Sequence, residues 1–138
     1  MRLWHKNLIP YLPRQQLLSQ WRECCCIARN IDRNGSPNHI LVNKIMDYPD
    51  EEFNGYALLV LKEMHYRGYK TDPSRFFKWR ETVVCSYRRE LFDNWHNGRY
   101  LDQCFYNLQE KYDRGGISEE EWKTLENGYI KFRRNKNV

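Results

Sequence analysis

The chain has 138 residues, 41% of them hydrophobic and 15% aromatic, with a formal net charge of +5 and a mean hydropathy of -0.92. That aromatic content supplies one hydrophobic core and argues against a disordered chain. No run approaches the roughly 18 apolar residues that span a bilayer, and Arg2, His5 and Lys6 interrupt any signal-peptide core. The expectation is a cytoplasmic protein with reduced thiols and no membrane association. Its basic excess permits an anionic polymer as partner without requiring one.

Pro10 and Pro13 bracket a turn before the first predicted helix, where a missing N–H costs nothing. Leu17, Leu18, Trp21, Cys24, Cys25 and Ala28 then follow the spacing of one apolar helical face. Gln15, Ser19, Arg22 and Cys26 fall on the opposite side, and Gln16 and Glu23 share a flank of it. Residues 30–38 (NIDRNGSPN) read as a loop. Residues 39–48 fit either an extended segment or a helical turn. Asp50 to Arg67 predicts a helix with almost no polar face at its middle, hence central, capped by Gly68. Asp72-Pro73 starts a further helix that Phe76, Phe77, Val83, Val84, Tyr87, Leu91 and Trp95 carry to about Trp95, where Asn97-Gly98 breaks it. Another helix runs from about Tyr100 to Tyr112. Ser118 and Glu121 form a capping box for the last. The pattern predicts an all-α fold and a single domain over residues 1–138.

Most familiar chemistry is missing from the chain. Cys24, Cys25 and Cys26 point in different directions on a helix and cannot converge on one metal; there is no CxxC, and Cys24 and Cys25 are expected as small buried residues. The four His show no metal spacing, and HEXXH, the GxxxxGK[ST] phosphate loop, GxGxxG and GxSxG are all absent. No metal and no organic cofactor is expected.

What remains is the N-terminal stretch. Trp21-Arg22-Glu23, with Gln15 and Leu17 upstream, resembles the first helix of the pyrimidine-dimer DNA glycosylases, the phage endonuclease V-like family that also cleaves abasic sites. Arg2 after Met1 matches an Arg that follows the family's mature first residue. Residues 61–69 (LKEMHYRGY) resemble the family's apolar helix ending in a basic-Gly-aromatic step, and Lys70-Thr71-Asp72 opens the next segment similarly. The resemblance covers roughly the first half. The opening MRLWH is shared with bacterial chains that look like members of the same superfamily.

The resemblance implies a DNA-repair glycosylase with abasic-site lyase activity, in which the α-amine of Met1 and the carboxylate of Glu23 are the catalytic pair. An α-amine, with an ordinary pKa of about 7.7–8.0, is partly unprotonated and nucleophilic near neutrality. The large Arg2 should prevent removal of Met1. Arg2 and Arg22 would hold backbone phosphates. Gln15 and Gln16 would meet a groove edge or the space left by a flipped nucleotide. Tyr129, Lys131 and Phe132, followed by Arg133 and Arg134, would approach the damaged base, and His39 would approach from a loop. Cys26 stands near the place of a further family Arg. Trp79, Arg80, Arg88 and Arg89 read as helix surface and packing. The partner would be double-stranded DNA with a damaged or abasic site, bound by a monomer. Other readings stay open: Glu23 as an exposed helix carboxylate, the glutamines as solvated surface, His39 as incidental, and the whole chain as a non-catalytic helical nucleic-acid-binding protein.

Overall fold

The computed structural model describes residues 1–87 and 90–134, so Arg88, Arg89 and residues 135–138 lie outside the description. Every regular element in the described residues is helical: a 3-10 helix (Lys6–Tyr11), α1 (Arg14–Asn34), a second 3-10 helix (Asn43–Asp47), α2 (Asp50–Tyr66), the short α3 (Ser74–Phe77), α4 (Gly98–Asp113) and α5 (Glu119–Arg134). The fold is all-α, as the periodicity predicts. α2 is the centre. Phe53, Asn54, Gly55, Tyr56 and Ala57 are five consecutive buried residues, so this helix is covered on every side there. Asp50, Glu51 and Glu52 occupy its first turn, where negative charge complements the helix dipole. α1 packs on α2 and α3, and α5 packs on the first 3-10 helix and α4. The buried side chains form one cluster reaching from Leu3 to Leu125. Among the described residues no helix is long and apolar enough to cross a membrane.

Two boundaries differ from the sequence expectation. α1 does not yield to a loop at residue 30; it continues to Asn34 and ends at Gly35 in the left-handed conformation, φ 77°. Ile27, Ala28 and Ile31 prolong its apolar stripe against the core, so the polar residues 32–34 are simply the exposed side of one more turn. The helix expected from Pro73 to Trp95 stops at Phe77. Residues 82–87 have no regular conformation, and Val83, Val84 and Tyr87 are exposed. The β-branched run Thr82-Val83-Val84 loses side-chain freedom in a helix. The Asn54 side-chain amide instead donates to the carbonyls of Thr82 and Val84 at 2.9 and 3.1 Å.

Elsewhere the local signals hold. Gly68 has φ 83°, Ser118 Oγ accepts from Glu121 N–H at 3.2 Å, and the ambiguous stretch before α2 contains the second 3-10 helix. Asn97 does more than interrupt: its side chain accepts from Tyr100 N–H at 2.9 Å and caps α4.

Candidate active site

The first four residues lie across α1, and one side chain sets their course. Gln20 is 1% exposed. Its Oε1 accepts from Trp4 N–H at 2.7 Å, and its Nε2 donates to the Arg2 carbonyl at 3.0 Å. A single side-chain amide thus pairs with the segment much as a neighbouring strand would. Tyr100 Oη on α4 donates to the Leu3 carbonyl at 2.6 Å, and Tyr56 Oη on α2 donates to the Trp4 carbonyl at 2.6 Å. Arg2 N–H points at Glu23 Oε2, 3.4 Å away, and the same oxygen accepts from Gln20 Nε2 at 3.3 Å. Buried peptide groups require partners, and here side chains from three helices supply them. Burial pushes the Tyr56 and Tyr100 hydroxyls well up from the ordinary phenol range, so both stay protonated and able to donate.

The segment is tied down again further on. Lys6 N–H donates to His96 Nδ1 at 3.0 Å, and Lys6 Nζ to the Leu91 carbonyl at 2.6 Å. The first bond requires a bare Nδ1. Burial first, and then the neighbouring His5 and Lys6, hold His96 well below the ordinary imidazole range and therefore neutral.

This arrangement carries Met1, which is 40% exposed, to a cleft of about 320 Å³. Gln16, Ser19, Gln20 and Glu23 line it from α1, Asn107 and Lys111 from α4, with Arg2 and Trp4 beside the terminus. Met1, Glu23 and Lys111 therefore line one polar depression open to solvent. A second groove, of about 700 Å³, adjoins it through Arg2, Leu41 and Asn107. Lys44 and Arg99 add positive charge there, and Tyr106 adds an exposed ring.

The residues singled out in the sequence are distributed unevenly. Met1, Arg2, Gln16 and Glu23 meet in the cleft. Gln15, one position from Gln16, is exposed and outside the cleft lining. Arg22 is exposed; it donates to Ser19 Oγ at 3.1 Å and lines a neighbouring depression together with Cys26, Arg29, Arg75 and Lys78. His39 Nδ1 accepts from Leu41 N–H at 3.2 Å within its own turn. Lys131 and Arg133 project from the last turn of α5, outside the cleft lining; Arg133 pairs with Asp102 at 3.2 Å. Trp79 is flanked by the cations of Arg33 and Lys78 at 5.4 and 5.0 Å. Arg80 is no surface residue. It donates to Asn54 Oδ1 at 2.9 Å and lies 5.2 Å from the Phe53 ring.

The sequence reading overlooked Gln20, Tyr56, Tyr100, Asn107 and Lys111. Two of these left a signal. Gln16, Gln20 and Glu23 follow i, i+4, i+7 spacing, a polar stripe that includes the overlooked member. Tyr56 is a phenol inside an otherwise apolar helix, where its hydroxyl must find a partner. Burial raises Cys24 well above the ordinary thiol range and pushes Cys25 and Cys104 up to about 11, which keeps them protonated and unreactive. Among the described residues no three His, Cys, Asp or Glu side chains gather as metal ligands would.

The model of one protein family, described as pyrimidine dimer DNA glycosylase, matches residues 1–77. Met1, Arg2, Gln20, Glu23 and Tyr56 fall inside that match; Tyr100, Asn107 and Lys111 fall outside it. No curated protein and no solved structure matches the chain.

Proposed function

The chain belongs to the pyrimidine dimer DNA glycosylase family, and from that premise we propose that it excises a damaged pyrimidine from duplex DNA with the α-amine of Met1 as nucleophile and Glu23 as its carboxylate partner. The unprotonated amine attacks C1′ of the lesion sugar. The N-glycosidic bond breaks, and its electron pair leaves with the base, which takes up a proton. The sugar ring opens as its oxygen is protonated from the Glu23 side, leaving an iminium between Met1 and C1′. Loss of a C2′ proton then expels the 3′ phosphate, and water releases the amine. Glu23 also stabilises the cationic intermediate by its charge.

The single observation that carries this reading is that the main chain of residues 2–4 is fastened to three helices so that its end lies in the cleft lined by Glu23. Positioning of that kind lowers a barrier by removing the freedom of the reacting group beforehand. Arg2 and Arg22 serve the backbone phosphates. Arg29, Arg75 and Lys78 take over the grip that Cys26 cannot provide, each able to neutralise a phosphate.

Borohydride trapping tests the proposal. Incubated with duplex carrying an abasic site or a pyrimidine dimer and then reduced, the protein should form a covalent adduct on its N-terminal peptide. An adduct on the Lys111 peptide would transfer the chemistry to the other amine in the cleft. Binding without any adduct would leave a non-catalytic nucleic-acid-binding protein. Glu23→Gln should slow trapping by about a hundredfold or more while leaving duplex affinity within about twofold; equal loss of both would make Glu23 structural.

A further inference from the structure

The segment after α3 has the makings of a β-strand with no sheet to join. The carbonyls of Thr82 and Val84 both accept from the Asn54 amide. Ser86 N–H donates to the Glu51 carbonyl at 2.9 Å, and the Ser86 carbonyl lies where a Cβ on Gly55 would be. Residues 82, 84 and 86 thus turn main-chain groups towards α2, which is the alternation of an extended chain. The main-chain groups of Val83 and Cys85 then point the other way. Among the described residues nothing hydrogen-bonds to the Cys85 carbonyl or to the N–H of Val83 or Cys85, and the Val83 carbonyl takes only the weak Cys85 Sγ–H donor at 3.3 Å. Val83 and Val84 are 68% and 61% exposed. Proteins ordinarily cover or charge an open edge that carries β-branched side chains.

This edge is its own complement. In an antiparallel pair, Val83 of one copy exchanges hydrogen bonds with Cys85 of the other, and Cys85 with the other's Val83. That register sets Val84 opposite Val84 on a two-fold axis, Val83 opposite Cys85, and Thr82 opposite Ser86. Apolar groups then meet apolar groups, and hydroxyls meet hydroxyls. Moving the axis to Cys85 would oppose Val84 to Ser86 and lose the match. The charge pattern agrees. In sequence the uncharged residues 82–87 are preceded by Glu81 and followed by Arg88-Arg89. Antiparallel alignment opposes the acid of one copy to the basic end of the other, whereas parallel alignment opposes like charges. Duplex DNA on the same edge would leave both valines in water.

We propose that residues 82–86 pair antiparallel with the same residues of a second copy, joining the free protein into a symmetric dimer through a two-stranded ribbon. One patch serves both subunits, as a closed two-fold contact requires. A ribbon of two strands is marginal by itself, but here α2 already holds each strand, so little further ordering accompanies pairing. The contact is small, which makes the dimer weak and reversible. It goes beyond the glycosylase reading and does not rest on it; the monomer implied by the family resemblance is the DNA-bound form.

Sedimentation equilibrium of the full chain without DNA tests the proposal. Between about 1 and 300 µM the weight-average mass should climb from the 17.0 kDa of one chain towards twice that value. Val84→Lys sets two cations opposite each other on the axis and should stay monomeric throughout, with thermal melting close to wild type to show that it folds. Oxidative cross-linking reads the register. In a Cys26→Ser/Cys85→Ser background, Val84→Cys places two thiols across a pair whose Cα atoms stand about 4.5 Å apart, within reach of a disulfide. It should cross-link to a dimer at least about tenfold faster than Thr82→Cys, whose position faces Ser86 instead. A wild type that stays monomeric would overturn the proposal, whether or not it captures an extended peptide. A dimer that survives Val84→Lys, or equal cross-linking at the two positions, would overturn it as well. Because no DNA enters these measurements, none of these results touches the glycosylase reading.

Discussion

Two stretches of this chain cross the helices without a repeating conformation, and they are held in opposite ways. Residues 2–4 exchange hydrogen bonds with α1, α2 and α4 through Gln20, Tyr56 and Tyr100. Their side chains Leu3 and Trp4 are buried, and the segment ends in a cleft. Among the described residues, 82–86 are hydrogen-bonded to α2, by the Asn54 amide and by a bond from Ser86 N–H to the Glu51 carbonyl at 2.9 Å. Their side chains Val83 and Val84 face solvent. The second stretch approaches α2 so closely that a Cβ on Gly55 would run into the Ser86 carbonyl. One helix suffices to keep a connecting segment in place. Fixing residues 2–4 across three helices takes ties in several directions, because each hydrogen bond restrains mainly the direction in which it points.

The contrast breaks most severely at Gln20. Gln20→Leu keeps the shape but strips the Trp4 N–H and the Arg2 carbonyl of their partners, and unpaired buried groups are costly. Unfolding free energy should drop by about 3–5 kcal/mol in a denaturant melt, and borohydride trapping should fall to background even under conditions where the variant is folded. Gly55→Val strikes the other stretch. Overpacking there should cost about 1–3 kcal/mol, yet trapping per folded molecule should stay at the wild-type level. Loss of trapping would show that the two segments are mechanically coupled after all. Tyr100→Phe cuts one of the three ties and should cost about 1–2 kcal/mol; trapping should weaken several-fold without vanishing, in single-turnover measurements.

The smallest effect is a dependence on pH. His96 is held neutral in the folded chain, with its pKa below the ordinary imidazole value, whereas the unfolded chain regains a pKa of about 6.5. Between those values the unfolded state binds more protons, so its contribution to stability is complete above about pH 6.5 and is lost as the pH falls below it, with a slope of at most about 1.4 kcal/mol per pH unit. Melting temperature should hold steady above neutrality and decline from pH 6.5 towards 5. His96→Gln, whose Oε1 can still accept from Lys6 N–H, should show a shallower decline. An unchanged slope would assign the acid sensitivity to other groups.

Much of the scaffold was legible in order and type. The apolar spacing of α1, the all-round burial of α2, the left-handed Gly68 and the Ser118–Glu121 box are local patterns, and each holds because its partners lie within a turn or two of the residue itself. The stretch from Val83 to Tyr87 misled for an equally local reason. Apolar residues at helical spacing predict a buried face only when some other element is available to cover it, and Asn54 and Gly55 had already given that side of α2 to an irregular strand of chain. Gln15 and Gln16 could not be separated by type; the roughly 100° between adjacent helix positions puts the second in the cleft and leaves the first in solvent.

For the site, the sequence by itself offered Met1, Arg2 and Glu23 as candidates. The tertiary structure decided that these groups share a cleft. Gln20 is separated from Trp4 by 16 positions, Tyr56 by 52, and Tyr100 from Leu3 by 97. No local pattern records such pairings. They exist because buried peptide groups near the terminus need partners, and only the packing of α1, α2 and α4 around that segment brings the hydroxyls and the amide within reach.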